Sequence, residues 1–172
     1  MSYFVKSFIL IFFLILLPFF ANALEVQSIE KKIDELSLSG NIEQMRSFEA
    51  SLNSFIIKEP TNYMENFLLG KLYFLMAEPF ELKLENEEGK KWNLSENYTD
   101  KSLIAFNNSI KYNEKYFDSH FYKALALVNK ICHFSVWSLP KLISTGKENV
   151  KEKEILAALD KENPKKVSCR RN

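Results

Sequence analysis

Glycine and proline are scarce in this chain, at four and five residues, and no long stretch alternates apolar with polar residues. Both scarcities count against sheet, because strands show a period of two and are parted by turn residues. Histidine is limited to His120 and His133, and cysteine to Cys132 and Cys169. Two of each, without paired spacing, make no zinc signature, and one cysteine pair is no disulfide framework. Cys132 and His133 are neighbours, which on a helix point about 100° apart, so they do not converge on one reacting atom. A glycine-rich phosphate loop and a Gly-x-Ser-x-Gly elbow are both missing. Glu85, Glu87 and Glu88 run into Gly89 without the alternating ligands of a calcium loop, and read as a solvated charge run. These gaps point away from an enzyme, and no cofactor or metal is expected.

A surplus of charge is also lacking, with 23 basic and 22 acidic residues. Nucleic-acid binders carry a basic excess, so nucleic acid is not the expected partner. The bias that exists is local: Lys165, Lys166, Arg170 and Arg171 make residues 165–172 a basic, disordered tail.

What is present at the N-terminus is a targeting segment. Lys6 supplies the positive charge, Phe8 to Phe20 is apolar throughout, and Ala21-Asn22-Ala23 is a small-x-small cleavage site. The apolar run is shorter than the about 20 residues that span a bilayer. Residues 1–23 are therefore expected to be a cleaved secretory signal, with no stable membrane span after cleavage. The competing possibility is an uncleaved anchor. Lys6 is the only charge in that segment, so its loss brings the two signs to parity. Export places Cys132 and Cys169 where a disulfide can form. Cys132 also lies in an apolar run and can instead be a small buried hydrophobe. Asn93-Leu94-Ser95, Asn97-Tyr98-Thr99 and Asn107-Asn108-Ser109 match the glycosylation acceptor pattern, which matters only for a eukaryotic source. Low glycine with abundant lysine, asparagine, isoleucine and phenylalanine points to an AT-rich, bacterial genome and a periplasmic or secreted protein.

The remainder reads as helices. Val26, Ile29, Ile33 and Leu36 share one face, and Ser39-Gly40 stops that helix. Asn41 caps the next, which carries Ile42, Met45, Phe48, Leu52, Phe55 and Ile56 and ends before Pro60. Thr61 or Asn62 caps a third, which runs toward Ala77 and halts near Pro79. Asp100 caps a fourth, with Leu103, Phe106, Ser109 and Ile110 inward. Asp118 or Ser119 starts a fifth, with Phe121, Ala124, Leu125, Leu127, Val128 and Ile131. Leu139-Pro140 opens a sixth region that Gly146 breaks, and Val150, Ile155, Leu156 and Leu159 resume it up to Pro164. The fold class is all-α: about six helices as three stacked antiparallel hairpins in residues 24–164, with a long insertion, 78–99, in the middle hairpin.

Leu69, Gly70 and Tyr73, then Ser102, Phe106 and Ser109, then Ala124 and Leu127, fall into a 34-residue register once about twenty extra residues, within 78–99, are set aside. In this the chain resembles the tetratricopeptide repeat, a helix-turn-helix unit that stacks into a solenoid. The resemblance covers most of residues 24–164; its first and last repeats are degenerate, and Glu114 stands where the family has proline. It implies that Gly70 lies where the two helices of the middle hairpin cross, opposite Phe106 or Ser109. It also implies a partner-binding groove built from the first helix of each hairpin. Carried onto this chain, the groove residues are Met64, Phe67, Lys71 and Phe74, then Asp118, Phe121, Leu125 and Val128. His120 falls at a family aromatic packing position. The implied function is a non-catalytic adaptor or scaffold that grips an envelope or secreted protein or peptide through a concave apolar groove. The groove is either open or covered from within, by the N-terminal helix, by the insertion or by a second copy of the chain. The alternative is a carrier that encloses a small apolar ligand in a helical bundle, for which 15 phenylalanines would suit the lining.

Overall fold

Short-range chemistry sets several of the helix ends. The computed structural model describes residues 25–82, 88–133 and 139–159, and all its regular structure is helical. Helix α1 covers residues 25–39. Its Ile33 and Leu36 are buried, with Val26 and Ile29 packed beside them. Gly40 ends it at a φ of 62°, in the left-handed region that a side chain disfavours. Asn41 then caps α2, Ile42–Lys58, its side chain accepting from the Gln44 amide at 3.0 Å. Pro60 lies in the following turn. Asn62 Oδ1 accepts from the Met64 and Glu65 amides at 3.1 and 3.3 Å, which caps α3, Tyr63–Leu82.

Three expected breaks are overridden. Helix α3 continues past Pro79 to Leu82. Helix α4 is Glu88–Tyr112, so Asp100 lies inside it and is no cap. Asp100 pairs instead with Lys130 on α5, and Ser95, Tyr98 and Thr99 bury a face ahead of it. Most of the expected insertion is therefore helix, and it lengthens both arms of the middle hairpin. Helix α5 is Phe117–His133 and α6 is Leu139–Leu159, unbroken at Gly146. A mid-helix glycine costs about 1 kcal/mol against alanine. Thr145, Asn149, Glu152 and Leu156 bury one continuous face on both sides of Gly146, which offsets that cost.

Side-chain pairs give the directions. Tyr63 meets Ser109, Gly70 meets Phe106 and Tyr73 meets Tyr98, so α3 and α4 are antiparallel. Asp100 with Lys130 and Ser109 with Ser119 set α5 antiparallel to α4. His120 with Glu152 and Ala124 with Asn149 set α6 antiparallel to α5. The core runs through Ile33, Met45, Leu52, Leu72 and Phe106. The implied Gly70–Phe106 contact is present: a Cβ on Gly70 would reach the Phe106 ring. Ser109 Oγ donates to the Tyr63 carbonyl at 2.7 Å and lies 2.7 Å from Ser119 Oγ.

Candidate binding face

Met64, Phe67, Lys71 and Phe74 are spaced three, four and three along α3, so they share one face. The structure brings them beside α5, but Phe67, Lys71 and Phe74 do not line an open groove. Phe67 is 1% exposed. Its ring stands edge-on to Tyr116 at 5.2 Å and to Tyr122 at 5.7 Å. Phe74 is also buried, edge-on to Tyr122 at 5.8 Å. Lys71 Nζ lies 2.9 Å from Glu30 and 2.8 Å from Asp34, both on α1, and 5.8 Å from the centre of the Tyr122 ring. Burial acts to lower the Lys71 pKa; hydrogen bonds to Asp34 and Glu30 outweigh it, and the net shift is upward. The rings are covered from within, by Phe106, Tyr116 and Tyr122, and Lys71 is covered by α1. That helix lays its acidic edge on Lys71 and sinks Ile33 and Leu36 into the same core.

On α5 the strip divides. Val128 is buried, while Asp118, Phe121 and Leu125 are half-buried, as is Met64 on α3. Phe121 stacks on Phe117 at 6.2 Å with 10° between the planes, and meets Tyr122 edge-on at 5.7 Å. Tyr122 is the residue that the sequence reading missed. It touches Phe67, Phe74, Phe106 and Phe121 and so joins the α3 and α5 halves of the strip. Its one sequence signal is its place directly after Phe121.

A second missed set lies between α5 and α6. His120 and Glu152, each 3% exposed, meet through Nδ1 and Oε2 at 2.7 Å. His120 Nε2 is 2.9 Å from the Glu114 backbone carbonyl. Lys123 Nζ lies 2.7 Å from Glu152 Oε1 and 2.9 Å from Glu148. Asn149 Nδ2 donates to the Ala124 carbonyl at 3.0 Å. Burial acts to raise Glu152, but its hydrogen bonds from His120 and Lys123 hold it below the usual carboxylate range. Both His120 ring nitrogens face acceptors, so the ring satisfies both only when it is doubly protonated. The available signal was charge periodicity: His120 and Lys123 three apart, Glu148 and Glu152 four apart, on consecutive helices.

A third polar group ties α2, α3 and α4. Tyr73 donates to Glu49 at 2.9 Å, and Lys101 Nζ stands 5.1 Å from the Tyr73 ring centre and 3.5 Å from Glu49. Burial first, and then the Glu49 carboxylate, push the Tyr73 hydroxyl up to about 12. Cys132 is exposed and disulfide-bonded; Cys169 lies outside the described residues, as do the expected signal segment 1–23 and the basic residues 165–172. Among the described residues, no group of three or more histidine, cysteine, aspartate or glutamate side chains is placed to hold a metal ion. No described helix is long and apolar enough to cross a membrane. Comparison with known protein families, with characterised proteins and with solved structures finds no match.

Proposed function

We propose that the chain is an exported, non-catalytic binding module of tetratricopeptide kind, and that its protein or peptide partner meets α5 along Asp118, Phe121 and Leu125. One observation carries the reading, the order of packing. Helix α3 packs on its hairpin partner α4 and on α5, the first helix of the next hairpin, while α4 also packs on α5. Hairpins stacked on their sequence neighbours are how a helical repeat array buries its core and presents one long face. With Phe67, Lys71, Phe74 and Val128 buried, the more accessible part of the strip is Met64 on α3 together with Asp118, Phe121 and Leu125 on α5.

The test places a photo-crosslinking residue at position 121 and, as a control, at position 104, where Ile104 is exposed on α4. A binding face on α5 gives one discrete adduct from position 121 and none from 104. Adducts from neither position, with a small apolar molecule retained by the purified protein, would replace the adaptor with the carrier. Phe121→Ala should weaken the identified partner on the order of thirtyfold, about 2 kcal/mol, while the helical circular dichroism persists. Export belongs to the same proposal: N-terminal sequencing of the exported protein should begin at Leu24.

A further inference from the structure

A neutral imidazole has one N–H and one lone pair; an imidazolium has two N–H groups and no acceptor. His120 faces acceptors with both nitrogens, the Glu152 carboxylate at 2.7 Å from Nδ1 and the Glu114 backbone carbonyl at 2.9 Å from Nε2. A neutral ring satisfies only one of them and turns a lone pair on the other. The surrounding charges agree. From α6 come Glu152 and Glu148; from α5 itself comes Lys123, bonded to both; from the turn between α4 and α5 comes the Glu114 carbonyl. With the ring protonated, two cations face two carboxylates. Glu148 is the outer member, its side chain 45% exposed. Without the ring proton the buried Lys123 and Glu152 still balance. What the interior penalises is the ring lone pair turned on an acceptor that has lost its donor.

The position of the set matters as much as its charge. Among the described helices, α6 packs on α5. The core of α1 to α4 is built elsewhere, on Ile33, Met45, Leu72 and Phe106. We propose that the α5–α6 hairpin is a proton-operated latch, in which doubly protonated His120 holds α6 against α5 and loss of one ring proton loosens α6 while the rest of the stack stays closed.

Burial acts to lower the His120 pKa, but the Glu152 hydrogen bond and the Glu114 carbonyl outweigh it and raise it above the ordinary value. A raised folded pKa gives a stabilisation that is complete below the unfolded value, about 6.5, and is lost as pH climbs through the folded value. Glu152, which is lowered, sets the opposite edge: its contribution is lost only in acid, as pH falls through its folded value.

Hydrogen exchange on the full chain, corrected for intrinsic rates, reads the latch directly between roughly pH 6 and pH 9. Between about 6.5 and the folded pKa of His120, protection of α6 amides should fall by up to about tenfold per pH unit and then level off, while α3 amides keep theirs. The His120 ring should titrate above 6.5 by NMR. Glu152→Gln should bring that titration down and flatten the pH dependence of α6; if this variant does not fold, the two wild-type measurements decide alone. The same pH profile in α6 and α3, or a His120 ring that titrates at or below the ordinary value, overturns the latch.

Discussion

Phe106 lies across Gly70 so closely that a Cβ there would stand 2.5 Å from its Cε1 and 2.6 Å from its Cδ1. Both residues are buried, and Phe106 also borders Phe67 and Tyr122, so the ring has little room to retreat. Alanine normally gains about 1 kcal/mol over glycine inside a helix. At position 70 that gain should be reversed. Gly70→Ala should lower the melting temperature, and Gly70→Leu should cost about 1–3 kcal/mol or more through overpacking. Thermal unfolding followed by circular dichroism checks both.

Gly146 is the internal control. A Cβ at that position meets nothing within 4 Å. Gly146→Ala should therefore stabilise α6 by up to about 1 kcal/mol, seen as a higher denaturant midpoint. A loss of stability would mean that α6 uses the glycine to bend.

Phe67→Ala and Phe121→Ala should separate core from binding face. Removing a fully buried phenylalanine costs about 3–5 kcal/mol. Phe67→Ala should reach that range and Phe121→Ala, half-buried, should fall short of it. Chemical denaturation of the two variants side by side gives the comparison.

The buried lysines Lys71 and Lys123 should respond differently to replacement by methionine. The partners of Lys71, Glu30 and Asp34, have side chains 42% and 54% exposed, and water can take over when the ammonium leaves. Glu152, the inner partner of Lys123, is 5% exposed by its side chain and cannot be rehydrated in place. Glu152 keeps His120 but loses its other buried partner, so Lys123→Met should cost up to about 3–5 kcal/mol, the range for breaking a buried pair. Lys71→Met should cost clearly less, measured by the same denaturant titration.

Sequence legibility follows the range of the force involved. Gly40 and Asn41 act on atoms within four residues, and the helix end and cap stand where those residues predict. Pro79, Asp100 and Gly146 are equally local signals, yet each lies inside a helix, because burial along the whole helix outweighs one missing amide, one alternative cap or one flexible residue. Gly70 against Phe106 was expected from the resemblance to a helical repeat, and the contact is present. The burial of Phe67 and Phe74 was not, since it depends on where α1, α4 and α5 come to rest. Nor was the His120 set, since pairing His120 and Lys123 with Glu152 requires the register between α5 and α6.

The serine pair at the crossing of α4 and α5 fixes a direction as well as a distance. Ser109 has one hydroxyl proton, and it goes to the Tyr63 carbonyl. At 2.7 Å, Ser119 must therefore be the donor to Ser109. Donation runs one way, from Ser119 on α5 through Ser109 on α4 to the first turn of α3, and Ser109 cannot be turned around without giving up its bond to the Tyr63 carbonyl. Ser119 is the head of that relay and Ser109 its only middle link. Alanine at 119 removes one donor and leaves the Ser109–Tyr63 bond intact, whereas alanine at 109 breaks the links to both neighbouring helices at once.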